Sequence, residues 1–259
     1  QLRNAVRSAG RMSAQRVPFS VREEAMSGLR DWWADRIDTS GFNQLCGYVP
    51  QTLVVRTGLQ ATIAPDTDHI IRYGANAAAD ESITTTATFA LGILDTAVER
   101  AATLSPGIRP LKIDGKPHFV AFLHPYQVTA MRTSTTSGQW LDITKAAYQG
   151  QGGDNPIFNG ALGIYNGVVL HSDKRVTQGS AAAGTAVTAV RRAVFCGAQS
   201  AVMAFGRDGG PEKFNWVEKG FDYDNQLGIS AGLIFGLKKT VYNSKDYGTI
   251  VLATYATAG

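Results

Sequence analysis

The sequence contains few cysteines and no long apolar run. Cys46 and Cys196 are its only cysteines, which excludes a disulfide framework and a CxxC metal motif. No apolar run approaches the ~18–20 residues of a membrane-spanning helix. No secretory signal pattern or N-glycosylation triplet is found. We therefore expect neither a disulfide-stapled scaffold nor contact with a membrane.

Motifs for catalysis and metal binding are also missing or incomplete. The histidines at 69, 118, 124 and 171 show no HExxH spacing, so we predict no metal and no cofactor. GISAG (Gly228–Gly232) matches the G-x-S-x-G nucleophile elbow, which requires a following helix and a later histidine. Here a strand pattern runs through Ser230 and every histidine precedes it. We predict that the chain is not an enzyme, and a serine hydrolase using Ser230 is the enzymatic alternative.

Charge is small overall but uneven along the chain. The formal net charge is +4, too little by itself to indicate a nucleic-acid partner. Four arginines nevertheless fall early, at Arg3, Arg7, Arg11 and Arg16. This segment is either an arm that lies on an acidic partner or a solvated tail. Because Gln1 is not an initiator methionine, we expect the chain to begin inside a longer gene product.

The segment after these arginines predicts a long capped helix. Ser20 and Glu23 form a capping box, and apolar residues then recur at spacings of three and four to about Thr39. The apolar positions are Ala25, Met26, Leu29, Trp32, Trp33 and Ile37.

The charges on this predicted helix form no opposite-sign pair at i,i+3 or i,i+4. Asp31 with Asp35 and Asp35 with Asp38 are like-sign neighbours, which weaken an isolated helix. Either these charges are simply solvated, or they find partners elsewhere. They are Arg22, Glu23, Glu24, Arg30, Asp31, Asp35, Arg36 and Asp38.

Beyond this helix, the first half of the chain predicts little regular structure apart from a second helix. Residues 48–63 are predicted as short strands broken by Pro50 and Gly58, and residues 65–81 as a loop. A stripe of small residues predicts a helix from about Ile83 to Leu104, ended by Pro106-Gly107.

The second half predicts a mixed α/β region followed by β-structure. His118–Leu123 is predicted as a buried strand, and Pro125 as the first residue of the next helix. Further predictions are a helix at 141–149, turns at Asn159-Gly160 and Asn166-Gly167 with a strand VVLHS after the second, and a loop at 177–188. A period of two predicts a strand from Leu227 to Lys238, a turn at 243–246, and YGTIVLATY returning as its hairpin partner.

Five blocks of the sequence resemble the major capsid proteins of tailed phages, in the subfamily typified by the coat protein of a giant-polymerase, short-tailed coliphage. They keep the order found in that family and cover most of the chain. The blocks are SVREEAMSGLRDWWADRIDTSGFNQLCG, HFVAFLHPYQVTAMRTSTTSGQWLDITKAA, NPIFNGALGIYNGVVLHSDKRV, VFCGAQSAVMAFG and FDYDNQLGISAGLIFGLKKTVYNSKDYGTIVLATYA.

The resemblance implies an α+β, Hong Kong 97-type capsid fold. Residues 20–107 and 218–259 would form a peripheral domain, with a spine helix at 20–39 and a long-stranded β-sheet at 227–255. Residues 108–217 would form a mixed α/β axial domain with tip loops at 150–156 and 177–188. Residues 1–19 would be an Arg-rich arm or the end of an extended loop, too short for us to transfer interlocking or cross-linking residues from the family.

The resemblance also implies a function and partners. The chain would assemble with itself, as pentamers and hexamers, into an icosahedral shell of the virion that encloses double-stranded DNA by non-specific contact. Scaffolding, portal and decoration proteins would be further partners, and assembly would occur in the host bacterial cytoplasm. An encapsulin-like shell protein is the related alternative.

Interpreted as a spine helix, the charged segment becomes a candidate subunit interface. We expect that residues among Arg22, Glu23, Glu24, Arg30, Asp31, Asp35 and Arg36 pair across subunits or with the arm. We expect Arg3, Arg7, Arg11 and Arg16 to contact neighbours or DNA. Charge reversal at Arg30 or Asp35 should then impair assembly more than folding.

Overall fold

The computed structural model describes residues 1–74, 78–113, 115–134, 163–206 and 214–258, and it mixes helices with sheets, which confirms the α+β prediction. The chain divides into two compact units. The first unit comprises Gln1–Gly41, Leu53–Ala61 and Met203–Lys238, and the second comprises Phe42–Thr52, Thr62–Val202 and Lys239–Gly259. The assignment of peripheral and axial domains stays a prediction.

Four α-helices lie in the described part of the chain. They are α1 (Arg11–Gln15), α2 (Val21–Leu45), α3 (Gly92–Thr103) and α4 (Pro125–Thr133), and single 3₁₀ turns occur at Val54–Arg56, Thr67–His69 and Asp80–Ser82. The strands of the same residues are β1 (Leu2–Arg7), β2 (Ile70–Arg72), β3 (Leu111–Ile113), β4 (Lys116–Leu123), β5 (Ile164–Tyr165), β6 (Val168–Ser172), β7 (Gln178–Ser180), β8 (Ala186–Cys196), β9 (Ala201–Phe205), β10 (Asn215–Phe221), β11 (Gln226–Leu233), β12 (Phe235–Lys239), β13 (Val241–Tyr242), β14 (Lys245–Asp246) and β15 (Thr249–Tyr255).

The first unit packs the start of α2 against an antiparallel sheet of order β1-β11-β10. Leu29 and Trp33 are buried against Ile229, Ala231 and Leu233. The other predicted apolar residues of α2 are half-buried around them, which confirms the predicted face. The backbone N–H of Glu23 donates to Ser20 Oγ at 3.3 Å, as a capped helix start requires.

The helix α2 is longer than predicted. It continues to Leu45 instead of ending near Thr39, although Ser40-Gly41 has the composition of a stop signal. The Ser40 hydroxyl donates to the Arg36 carbonyl at 2.8 Å, so this serine is satisfied inside the helix. The apolar period also resumes beyond it, because Phe42 is buried in a cluster of the second unit.

The second unit is built on a sheet of order β2-β15-β8-β4-β6-β5, with β3 beside β4 and β7 beside β8. Strands β8 and β15 pair antiparallel, from Cys196 opposite Thr249 to Val190 opposite Tyr255. Residues of α3 and α4 belong to the same core cluster as residues of the central strands. The predicted strand His118–Leu123 lies within β4, which confirms that prediction.

Local signals in this unit are also confirmed. Pro125 is the first residue of α4. Asn166 and Gly167 both have positive φ, at 46° and 74°, and they join β5 to β6 as the predicted hairpin turn. The predicted strand VVLHS is β6.

The second helix begins nine residues later than predicted, at Gly92 rather than Ile83. The intervening residues are rich in threonine, whose β-branched side chain has restricted rotamers in a helix. Thr88 instead forms a parallel bridge to Tyr255. The small-residue stripe is buried within the helix at Leu94, Ala97 and Ala101, and Ala87 is buried in the extended segment before it.

The predicted loop at 177–188 is confirmed only for residues 181–185, because β7 and the start of β8 form a paired hairpin on either side of them. Small residues serve close packing at this place. A Cβ on Gly179 would lie 2.9 Å from Val190 Cβ and 3.2 Å from Asp80 Oδ2, distances that real side chains do not tolerate well. At Gly179 the missing side chain therefore allows a close approach to β8 and to Asp80.

The predicted C-terminal hairpin is also wrong. The strand pattern is interrupted at Ile234 into β11 and β12, and the turn near Asn243 joins only β13 and β14. Strand β15 pairs with β8 and β2 instead. Its residues from Thr249 to Thr254 are all buried, which is typical of a central strand covered on both faces.

Two predictions for the first half of the chain also need correction. Residues 48–63 contain no strand but a 3₁₀ turn at Val54–Arg56, and β2 lies inside the predicted loop at 65–81. The predictions for the helix at 141–149, the tip loop at 150–156 and the turn Asn159-Gly160 fall outside the described residues.

Candidate functional site

The three-stranded sheet of the first unit has one covered face and one exposed face. Its register places Gly232, Ser230 and Gly228 of β11 between partners on both flanking strands. The alternating residues Leu227, Ile229, Ala231 and Leu233 point the other way and pack against α2. We call the opposite side the exposed sheet face: Arg3, Ala5 and Arg7 of β1, Asn215, Val217, Lys219 and Phe221 of β10, and Gly228, Ser230 and Gly232 of β11.

The first arginines belong to this sheet. Residues 2–7 form β1, so this part of the predicted arm is a paired strand of the chain's own sheet and not a free tail. Arg3 and Arg7 lie on the exposed sheet face. Arg11 donates its backbone N–H to Asn225 Oδ1 at 3.2 Å, and the side chains of Arg11 and Arg16 are exposed. Contact of these arginines with neighbours or DNA stays a prediction.

The exposed sheet face contains a shallow hollow of about 350 Å³ beside Val217, Lys219 and Phe221. The Arg7 guanidinium lies 4.6 Å from the centroid of the Phe221 ring, and Lys219 Nζ lies 5.9 Å from it. A Cβ on Gly228 would fall 2.5 Å from this ring, so glycine is what lets the ring lie across the central strand. The hollow is therefore apolar at its floor and cationic at its edge.

No carboxylate side chain belongs to this face. Among β1, β10 and β11 the only acidic residue is Glu218, and it alternates to the covered side. There it receives a hydrogen bond from Arg22 of α2, with Nε to Oε2 at 3.1 Å. This bond raises the pKa of Arg22 and lowers the pKa of Glu218. The cations of the exposed sheet face therefore lack a counter-charge on their own strands.

The predicted interface charges of α2 are mostly exposed. Arg22 pairs with Glu218 of β10 in the same chain, a partner outside the helix that lies neither in another subunit nor in the arm. The Arg36 guanidinium lies 4.8 Å from the Trp32 ring centroid, and that of Arg30 lies 5.9 Å from the Trp216 ring centroid. Both distances allow a cation–π attraction. Pairing of any of these residues across subunits stays a prediction.

The hairpin that joins β10 to β11 ends in a projecting tip. Asp222, Tyr223 and Asp224 all have positive φ, at 54°, 52° and 64°, and Asn225 N–H donates to the Asp222 carbonyl at 2.9 Å. The Tyr223 side chain is fully exposed, at 105% relative accessibility. Sequence reasoning missed this tip, although the turn-forming composition of DYDN between two strand patterns was a usable signal.

Ser230 lies in the middle of β11, where its hydroxyl donates to the Val217 carbonyl at 3.4 Å. No helix follows it as an elbow requires. All four histidines belong to the second unit. Within the described ranges, no group of three or more His, Cys, Asp or Glu side chains could hold a metal ion. In the same residues no helix is both long and apolar enough to span a bilayer.

The second unit buries a carboxylate that sequence reasoning also missed. Asp80 is fully buried and accepts from Arg192 Nε at 2.6 Å, Arg72 Nε at 2.9 Å and Ser180 N–H at 2.9 Å. Arg192 is itself buried and donates to the Gly47 carbonyl at 3.0 Å. These bonds tie together the turn at Gly47, β2, the 3₁₀ turn at Asp80, β7 and β8, which is a structural role.

A second buried ion pair joins Lys239 and Asp246, with Nζ 2.7 Å and 2.8 Å from the two carboxylate oxygens. Burial lowers the pKa of Lys239 and raises the pKa of Asp246. Cys46 and Cys196 are free and buried. Burial raises the pKa of both thiols, that of Cys196 to about 12, so neither thiol is activated for chemistry.

Comparisons with known proteins match phage capsid proteins over nearly the whole chain. The family model described as phage capsid protein matches residues 1–258. The major capsid protein of Pseudomonas phage KPP25 is 30% identical, over 96% of this chain and 72% of that protein. The capsid of Ralstonia phage GP4 matches with a TM-score of 0.81 and 31% identity, over 99% of this chain and 73% of that chain. The capsid of cyanophage Pam1 matches with a TM-score of 0.75 at 16% identity, over 100% of this chain and 75% of that chain.

Proposed function

Because the chain belongs to the phage capsid protein family and is a shell-forming major capsid protein with a Hong Kong 97-type fold, we propose that its copies form pentamers and hexamers. These rings would close into an icosahedral shell that encloses double-stranded DNA. Head-to-tail contacts between unlike surfaces generate rings when the rotation closes. The observation that carries the proposal is the match of the capsid family model to residues 1–258.

The described surfaces are consistent with this role. The chain is a structural protein and a component of the virion capsid. The exposed sheet face, the charges of α2 and the projecting hairpin tip offer different surfaces for neighbouring copies. We expect assembly in the host bacterial cytoplasm, with scaffolding, portal and decoration proteins as further partners.

An encapsulin-like compartment is the alternative with the same fold. The family match and the named relatives favour a phage coat protein over it. Nuclease treatment of particles purified from an infected host separates the two. Protected double-stranded DNA supports the coat protein, whereas a protein cargo without nucleic acid supports the compartment.

The ring stoichiometry is tested by mass photometry of the purified chain under conditions that promote assembly. Species of five and six copies, together with larger closed particles, are the expected result. A ladder of dimers and tetramers without any ring species would contradict the proposed stoichiometry.

The charged surface of α2 supports a role in these contacts. Arg30→Glu and Asp35→Lys should each reduce the yield of assembled particles while changing the thermal midpoint of the isolated chain little, because exposed charges contribute little to folding. Ser27→Ala, at an exposed neutral position of the same helix, is the matched control. If both charge variants assemble like the control, α2 serves only to support the core.

A further inference from the structure

The projecting tip of the β10–β11 hairpin presents an aromatic ring between two carboxylates. In the sequence Tyr223 stands between Asp222 and Asp224, and the Asp224 carboxylate lies against Gly220 of its own strand β10. The full exposure of Tyr223 means that it packs against none of the residues that the structure describes. Tyrosine is enriched in protein interfaces, and a single exposed tyrosine on a projecting turn has the form of an anchor.

Hydrogen bonds of Asn225 hold the tip in its conformation. Asn225 Nδ2 donates to Asp222 Oδ2 at 3.2 Å, and the N–H of Arg11 donates to Asn225 Oδ1 at 3.2 Å. Three successive non-glycine residues with positive φ are costly, and these bonds hold the turn in that conformation. A pre-organised tip loses little entropy when it binds.

The exposed sheet face has the complementary chemistry. Its hollow has an apolar floor with Phe221 and Val217, which are 38% and 43% exposed. Arg7 and Lys219 flank this floor, and Arg3 lies further along the same face. An aromatic ring with an acidic residue on each side matches an apolar hollow edged by cations.

We propose that the hairpin tip of one copy of this chain docks on the exposed sheet face of a second copy. Tyr223 would occupy the hollow beside Phe221, and Asp222 would lie against Arg7 and Lys219. The tip lies at the end of the β10–β11 hairpin and points away from the hollow on the same hairpin. Because Tyr223 is fully exposed, it does not occupy the hollow of its own copy. The occupant is therefore the tip of another copy. This contact rests on the proposed shell function and identifies two unlike surfaces of the kind that close rings.

Double-stranded DNA is the competing occupant of a cationic face. The observations favour protein, because the hollow is apolar and both cations lie over the Phe221 ring. A phosphate backbone offers nothing to cover exposed Val217 and Phe221. DNA binding that is lost in Arg7→Gln/Lys219→Gln while assembly is unchanged would assign the face to DNA and overturn the proposal.

The contact is tested by replacing Tyr223 with the photo-reactive residue p-benzoylphenylalanine, which keeps an aromatic ring at the tip. Particles are assembled from an equal mixture of normal and heavy-isotope chains, irradiated, digested and analysed by mass spectrometry. We expect cross-links to peptides from 2–7 or 215–221, in pairs that combine normal and heavy chains. Shells that form without these mixed-isotope cross-links would overturn the contact and leave the proposed function standing. A wild-type chain that stays monomeric contradicts both.

A second variant keeps the proposal testable if the photo-reactive chain folds poorly. Tyr223→Ser should raise the concentration needed for assembly by roughly tenfold or more, as loss of an interface anchor does. Its thermal midpoint should not change, because the ring is fully exposed and packs against none of the described residues. Tyr242→Ser is the matched control, since Tyr242 is an exposed tyrosine of the second unit at 65% accessibility. Equal assembly of the two variants would overturn the proposal.

Discussion

Lys239 and Asp246 illustrate the energetics of single residues in this fold. Their side chains are 0% and 3% exposed, and the direct ion pair between them is the main compensation for each charge, with Asp66 also acting on both. The attraction within such a pair is largely offset by the loss of hydration, whereas a lone buried charge has nothing to offset that loss.

We therefore expect a non-additive result for this pair. Asp246→Leu should lower the free energy of unfolding by about 3–5 kcal/mol, because it leaves Lys239 charged and unpaired. The double variant Lys239→Met/Asp246→Leu should recover most of this loss, or exceed the parent. Urea unfolding of the four chains of the double-mutant cycle is the measurement, and additive losses would contradict the explanation.

His124 provides a pH-dependent contribution at the same scale. It is the N-cap of α4, and its Nδ1 accepts from Tyr126 N–H at 3.2 Å, which requires neutral imidazole. Burial, and secondarily the charge of Arg191, lowers its pKa from 6.5 to about 4, against an opposing effect of Asp173. Between about pH 4 and pH 6.5, the unfolded chain therefore binds a proton at His124 that the folded chain does not.

Stability from His124 is therefore complete above pH 6.5 and is lost as the pH falls towards 4. The loss amounts to roughly 3 kcal/mol at most. His124→Asn keeps a capping side chain without the titration, so its unfolding free energy should fall less over the same window. Parallel pH curves for the two chains, measured by chemical denaturation, would show that His124 does not cause the loss.

At the scale of secondary-structure elements, the start of α2 gives the clearest expectation. Ser20→Ala removes the acceptor for Glu23 N–H and should lower the unfolding free energy by about 1 kcal/mol. Ser27 is exposed and lies away from the ends of the same helix. Ser27→Ala should be neutral or slightly stabilising, since alanine has the higher helix propensity. Equal unfolding midpoints for both variants would mean that the cap contributes nothing.

Elements with strong local signals could be predicted from the sequence. The apolar period of α2, the proline at the start of α4 and the Asn166-Gly167 turn each act within a few residues, and each is confirmed. The start of α3 and the partners of β15 depend on residues far away in sequence. Thr88 is extended because it meets Tyr255, and nothing local to Thr88 specifies that neighbour.

Some features of the candidate site could be predicted from the sequence and others could not. Periodicity identified the covered side of β11 and the charged surface of α2. The exposed sheet face could not be predicted, because it exists only once β1 and β10 flank β11 in a particular register. The four early arginines had suggested an arm, yet two of them became part of a sheet through a pairing more than 200 residues away in sequence.

At the scale of the whole molecule, the central claim is that copies of this chain build a closed shell. The family match, the capsid relatives and the agreement of the fold along 99% of the chain with the capsid of Ralstonia phage GP4 support it. A shell protein needs repeated, individually modest contacts between unlike surfaces, and the first unit offers several such surfaces.

Electron microscopy of the purified chain after assembly is the most direct measurement of this claim. We expect closed particles of uniform diameter, with capsomers arranged around five-fold and six-fold positions in the averaged images. A chain that remains a folded monomer under every assembly condition would contradict it.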